Sequence, residues 1–169
     1  FLAALLSASI TISLYPILKK YNEGLAIGAV GFRIIEAVFY IIGILCLLIL
    51  FTLSQEFVKA GGENINYFQT LGSLLLATKD LAGFVFGAIS FAIGAFMYYY
   101  IFYKTKLIPR WLSGWGLIGV VLLISASLLT LFDGAPYNIS GNLLFLVIPI
   151  GLQEMVLAVW LMIKGFNEI

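Results

Sequence analysis

The sequence predicts an all-α, polytopic transmembrane helical bundle with about five spans, the first of them incomplete. The 169 residues are 63% hydrophobic and 10% charged, and the mean hydropathy is +1.12. Soluble domains are nearer to about 45–50% apolar and about 25% charged. The apolar residues are also gathered into runs of about 20, the length that crosses hydrocarbon at about 1.5 Å per residue. We therefore predict a single transmembrane domain over residues 1–169.

The first apolar run, residues 1–16, lacks a charged leader and a cleavage site, so it does not read as a signal peptide. It begins without a methionine in mid-run, and we expect it to be the tail of a longer helix in an N-terminally truncated chain. A polar connection follows at 19–24. The remaining predicted elements are spans at 25–54, 81–103, 111–132 and 142–163, a basic loop at 104–110 and a turn at 133–136.

Residues 55–80 form the one long connection, and they are too polar to span a bilayer. Ile65, Phe68 and Leu75 recur there at helical spacing with polar residues between them. This pattern is typical of an amphipathic helix lying in the membrane interface, here at about 64–80. A re-entrant segment that faces the bundle is the alternative.

Basic residues in the short loops predict the orientation of the chain. One side of the membrane would hold six of them and the other two, which are Lys59 and Lys79. The six are Lys19, Lys20, Lys104, Lys106, Arg110 and Lys164. The positive-inside rule then places loops 17–24 and 104–110 and the C-terminus in the cytoplasm. Aromatic residues flank the second loop and are predicted to be interface anchors: Tyr98, Tyr99, Tyr100, Tyr103, Trp111 and Trp115.

Small residues predict which helix faces pack closely. Gly83, Gly87 and Gly94 follow one stripe of the span at 81–103, and the first two form a GxxxG pattern. Packing within the chain is the first interpretation, and a homo-oligomer face is the alternative. Gly116 and Gly119 suggest close packing of the next span.

Charged residues inside the spans are the candidate functional site. Arg33 and Glu36 share one helix face, and Gln153 and Glu154 lie in the middle of the last span. Pro149 can kink that last helix. Arg33 is about 13 Å from one end of its span and Glu154 about 15 Å from the same side. Since unpaired charges are costly in hydrocarbon, Arg33, Glu36 and Glu154 are expected to form one buried polar cluster.

Three functions remain open for such a cluster. It could only fix helix packing in a structural or regulatory protein, it could bind a small solute, ion or proton in a carrier, or it could serve an intramembrane enzyme. Alternatively, Arg33 could extend to the membrane surface and leave the carboxylates to share a proton.

Several function classes are excluded or disfavoured by residue content. The chain has no histidine, which removes a Ser/His triad and the common metal sites. Its net charge of +1 and lack of a large basic cluster give no case for nucleic acid. No phosphate-binding loop is present, and the single Cys46 lies in an apolar run. We expect a protein that is not an enzyme, without cofactor or metal, whose partners are the lipid bilayer and a small-molecule or ion ligand.

Several strings of this sequence resemble a family of membrane proteins known as domain of unknown function 4386. They are YPILKKYNEGLA at 15–26, GFRIIEA at 31–37, LSQEFV at 53–58, LIPRWLS at 107–113, WGLIG at 115–119, PIGLQEMVLAVW at 149–160 and KGFN at 164–167. The resemblance covers nearly the whole chain and implies a bacterial inner-membrane helical protein with further N-terminal helical sequence. It implies no activity, but its strings contain Arg33, Glu36, Gln153 and Glu154.

Overall fold

The structure is a computed structural model that describes residues 1–61, 64–134, 137 and 141–167. Over these residues it is helical without strands, and the predicted all-α fold class is confirmed. The helices are α1 (Leu2–Leu18), α2 (Glu23–Lys59), α3 (Ile65–Asp80), α4 (Ala88–Thr105), α5 (Arg110–Asp133) and α6 (Gly141–Lys164). A π-helical segment, Leu81–Gly87, joins α3 directly to α4.

Four helices are long and apolar enough to cross a membrane, and α1 is a shorter apolar helix. The chain is therefore a multi-pass membrane protein. The predicted spans at 111–132 and 142–163 match α5 and α6 to within one residue at each end. The predicted turn at 133–136 lies partly outside the described residues.

The helix predicted at about 64–80 is present as α3, Ile65–Asp80, but it does not end there. It is the first part of one continuous helix, Ile65–Thr105, which contains α3, the π-helical segment and α4. No proline interrupts this stretch, and its hydroxyl groups bond back to carbonyls of their own helix, as Thr78 does to Leu74 at 2.8 Å. α2 also runs on to Lys59, five residues beyond the predicted span, and α3 packs against that extension. The ring centroids of Phe57 and Phe68 are 5.3 Å apart across this contact.

The helices form a row in which each packs on its neighbours. α2 contacts α1, α3 and α4, α4 contacts α5, and α5 contacts α6, whereas α1 and α6 do not form a packed pair within the described residues. Glycines bring two of these contacts close. A Cβ on Gly116 would lie 2.8 Å from the Tyr99 ring, and one on Gly119 would lie 3.1 Å from Cα of Ile150. The helices α4, α5 and α6 are therefore closely packed. At the two ends of the row, α1 and α6 leave a gap between them.

The C-terminus is tied to the loop between α4 and α5. The backbone N–H of Asn167 donates to the carbonyl of Leu107, and its side-chain amide donates to the carbonyl of Lys106, each at 2.8 Å. Phe166 packs against Phe102 with ring centroids 5.7 Å apart. The C-terminal residues and the basic loop 104–110 consequently lie at the same end of the bundle.

Candidate functional site

Arg33 and Glu36 form a buried ion pair on one face of α2. Nη1 of Arg33 lies 3.1 Å from Oε2 of Glu36, and Ser7 on α1 donates a 2.9 Å hydrogen bond to the same oxygen. The guanidinium also stacks on the ring of Phe91 in α4, 4.5 Å from its centroid. Nη1 approaches Glu36 outside hydrogen-bond geometry, and neither it nor Nε has a hydrogen-bond partner in the described part of the chain. This pair therefore links α1, α2 and α4.

Gln153 forms a second polar contact between helices, which joins α4, α5 and α6. Its side chain is fully buried. Its carbonyl oxygen accepts a hydrogen bond from the Tyr99 hydroxyl, and its amide nitrogen donates a 3.1 Å hydrogen bond to the carbonyl of Leu112. Both ends of the amide are satisfied within protein, so Gln153 is engaged in packing and is not free for a ligand.

Glu154 takes part in neither of these two interhelical contacts. It is half-buried, and its side-chain hydrogen bond within the described residues comes from the Tyr98 hydroxyl at 3.5 Å, a long contact. No ion pair within 4 Å joins it to Arg33 over the same residues. Within the expected cluster, Arg33 is paired with Glu36 on its own helix. Glu154 is bonded by Tyr98, two helical turns along α4 from Phe91, and it interacts with Arg33 and Glu36 through their charges and not through a direct contact.

Two of the predicted interface anchors instead belong to this buried site. Tyr98 is 4% exposed and Tyr99 is fully buried, whereas Tyr100, Tyr103 and Trp111 are exposed. The sequence contained a signal for this placement. Tyr98 follows Gly94 by four residues, and it therefore continues the small-residue stripe that turns toward other helices.

The glycines of that stripe are not equivalent. A Cβ on Gly94 would lie 3.2 Å from the carbonyl oxygen of Ala29, so α2 and α4 approach closely there. A Cβ on Gly87 would lie 3.4 Å from the Tyr40 ring and 2.8 Å from a carbonyl of its own π-helical segment. Gly83 was expected to face another helix, but a Cβ there would have no atom within 4 Å. The wide π-helical turn directs Gly83 into an open cavity.

That cavity has a volume of about 870 Å³ and lies between α1, α2, the π-helical segment and α6. Leu144, Val147, Ile150 and Gly151 line it along one face of α6, and the stripe ends at Glu154. The other lining side chains are mostly apolar and several are aromatic. They include Phe39, Tyr40, Phe84 and Phe91. The cavity therefore runs from the end of α6 opposite the basic loop to a carboxylate near the middle of the helix.

Sequence reasoning identified Glu154 but neither the cavity nor Ser7. The cavity is bounded by helices that are distant along the chain, and a single hydroxyl in an apolar run such as Ser7 carries no distinguishing pattern. Over the described residues, no three His, Cys, Asp or Glu side chains come together as a metal site. What the arrangement can do is hold an apolar molecule by contact and engage one polar group of it through Glu154.

Fold and site together define a multi-pass α-helical membrane protein with a carboxylate at the inner end of an apolar cavity. The family described as Domain of unknown function (DUF4386) matches residues 1–165, and the chain belongs to that family. Searches of curated proteins and of solved structures each found no match.

Proposed function

We propose that this chain is a membrane-embedded binding component, of the carrier type, that takes a small hydrophobic solute into the cavity ending at Glu154. The observation that carries the proposal is the cavity itself, about 870 Å³ in volume with an ionisable side chain at its inner end. Small-molecule sites in proteins are concave, mostly apolar and supplied with few polar groups.

The way the polar residues are used supports binding over a purely structural function. Gln153 and the Arg33–Glu36 pair already hold the helices together. The Gln153 amide is bonded to protein groups at both ends, and Glu36 accepts a hydrogen bond from Ser7. Glu154 forms no comparably short hydrogen bond or ion pair between helices within the described residues. A carboxylate at mid-membrane is unfavourable by about 2.5–3.5 kcal/mol on insertion scales, so a residue that contributes little to packing there is best explained by a ligand.

The setting of the protein is part of the same proposal. We place the chain in a bacterial cytoplasmic membrane, with loops 17–24 and 104–110 and the C-terminus facing the cytoplasm. The orientation is supported by the six-to-two distribution of basic residues under the positive-inside rule. The cavity would then run inward from the outer face of the membrane. No catalytic step is proposed.

Blocking the cavity tests this function. At Gly83 and Gly151 an added Cβ would have no atom within 4 Å, and both positions line the cavity, so Gly83→Phe and Gly151→Phe should fold with the ring in the cavity. Gly31→Phe is the matched control, because Gly31 has an equally free Cβ position but is exposed on the outside of α2 and does not line the cavity.

The probes are three compact aryl compounds: neutral triphenylphosphine oxide, cationic tetraphenylphosphonium and anionic tetraphenylborate. A bound probe raises the unfolding temperature of the solubilised protein by mass action. At least one probe should stabilise the wild-type chain and Gly31→Phe but neither cavity variant. If no probe distinguishes the cavity variants from Gly31→Phe, the cavity is not a binding site and the proposal is wrong.

A further inference from the structure

We infer that the ligand of this cavity is a hydrophobic cation, held by Glu154 at the inner end and by aromatic rings along the walls. This inference rests on the proposed function and adds the charge and chemical class of the ligand. It follows from how the charges around the cavity are compensated.

The two cations nearest the cavity are each neutralised by an adjacent carboxylate. Arg33 is paired with Glu36 at 3.1 Å and does not itself line the cavity. It also attracts the Glu154 carboxylate, which Glu36 repels. Lys79 does line it, but Nζ of Lys79 lies 2.8 Å from Oδ1 of Asp80. Among the described residues that line the cavity, the remaining charged side chain is Glu154. Arg33, Glu36 and Glu154 together therefore carry a net charge of −1 at the inner end of the cavity.

The position of Glu154 allows a ligand to reach that charge. The two charged groups of the lining lie at different depths, because Tyr98, which donates to Glu154, follows Lys79 by nineteen residues along the helix. Glu154 is half-buried, and the Tyr98 hydroxyl offers it one long hydrogen bond. A charge in surroundings of low dielectric attracts an opposite charge far more strongly than it would in water.

The walls suit a cation whose charge is spread over an apolar body. Phe39, Tyr40, Phe84 and Phe91 line the cavity, and aromatic faces attract cations within about 6 Å of the ring centroid. Arg33 already shows this contact on the ring of Phe91 at 4.5 Å. A small, strongly hydrated cation would lose its water without replacement here, whereas a quaternary or arylated cation has little hydration to lose.

An anionic amphiphile anchored at Lys79 is the competing ligand class. It would have to displace Asp80 from Lys79 and place its apolar tail against Glu154. Both steps are unfavourable, so the observations favour the cation.

Tetraphenylphosphonium and tetraphenylborate have nearly the same shape and opposite charge, so their dissociation constants isolate the effect of charge. Specific binding is taken as binding that Gly83→Phe abolishes. We expect the wild-type chain to bind the cation at least about tenfold more tightly than the anion. Glu154→Gln keeps an acceptor for Tyr98 but removes the charge, and it should abolish this preference. Glu154→Asp should retain it, and Glu56→Gln, an exposed change far from the cavity, should leave it unaltered.

The outcomes distinguish a failure of the cation assignment from a failure of the proposed binding function. Specific binding without preference for the cation, or with a preference that survives Glu154→Gln, would overturn the cation assignment and leave the binding function in place. Specific preference for the anion would overturn it in favour of Lys79 as the anchor. If Gly83→Phe abolishes the binding of no probe, the proposed function fails first and the inference falls with it.

Discussion

Adjacent residues of similar polarity have different structural roles in this protein. Gln153 and Glu154 are adjacent polar residues in an apolar helix. Gln153 is buried among three helices, whereas Glu154 faces a cavity. Successive residues on a helix point about 100° apart, and this rotation is enough to separate a packing role from a binding role. Polarity at one position therefore does not tell which role it has.

Loss of Gln153 should destabilise the α4–α5–α6 contact. In Gln153→Leu the Tyr99 hydroxyl is left buried without its partner, and such a group costs about 1–3 kcal/mol. We expect thermal unfolding in detergent to show a destabilisation of that size. Adding Tyr99→Phe should recover part of it, because the stranded hydroxyl is then gone. Gln55→Leu, on the exposed part of α2, is the control, and a similar loss there would contradict the assignment.

The Arg33–Glu36 pair should be far more sensitive to loss of one member than of both. Glu36→Gln leaves the Arg33 charge buried without its counter-ion, which should destabilise the fold by about 3–5 kcal/mol. Arg33→Met combined with Glu36→Met removes both charges and should restore most of the stability. Glu56→Gln breaks the exposed pair with Lys59 and should change the free energy of unfolding by at most about 1 kcal/mol. Equal effects of the single and double variants would contradict this account.

At the scale of elements, the spans were largely predictable from sequence and the connection between them was not. Long apolar runs locate α5 and α6 to within one residue at each end, because hydrophobicity and length decide a membrane helix. The helix predicted at about 64–80 is present as α3, but its polarity gave no sign that it continues into the next helix. A helix that packs against the extension of α2 outside the apolar spans can carry polar residues and still continue straight into the next span.

The site was predictable to a similar extent. The Arg33–Glu36 pair follows from i, i+3 spacing alone. The link between Tyr98 and Glu154 depends on which faces of two distant helices meet. That relation is decided by packing across the whole bundle, and hydropathy contains no information on it.

Close approach of α2 and α4 should fail when Gly94 gains a large side chain. A Cβ at that position already lies 3.2 Å from backbone oxygen of Ala29, so Gly94→Leu must push the two helices apart. Overpacking of this kind costs about 1–3 kcal/mol and sometimes more. Gly31→Leu, on an exposed face of the same pair of helices, should be nearly neutral. Comparable unfolding temperatures for the two variants would show that the α2–α4 contact is loose.

At the scale of the whole molecule, the two ends of the bundle differ in charge. The basic loop 104–110 and the C-terminal residues are bonded together at one end. The cavity extends toward the opposite end, where Leu144 and Lys79 line it. The proposed orientation therefore also decides from which side of the membrane a ligand enters.

Cysteine labelling tests this orientation in intact cells. Cys46 would first be replaced by alanine to give a background without thiols. Asp133→Cys should then react with a membrane-impermeant thiol reagent, and Lys106→Cys should react only after the membrane is opened. Labelling of both sites from outside, or the reverse pattern, would overturn the proposed topology.

The unequal lengths of the helices have a consequence for the surrounding lipid. The apolar span of α2, residues 25–54, is about 45 Å long, whereas α5 and α6 have 24 residues each and span about 36 Å. One flat bilayer of uniform thickness cannot match both sides of the molecule. Leu48, Ile49 and Phe51 are exposed on the longer side, so the hydrophobic mismatch falls there. Lipid next to α2 is expected to thicken or α2 to lean, and the protein should favour membranes with longer acyl chains.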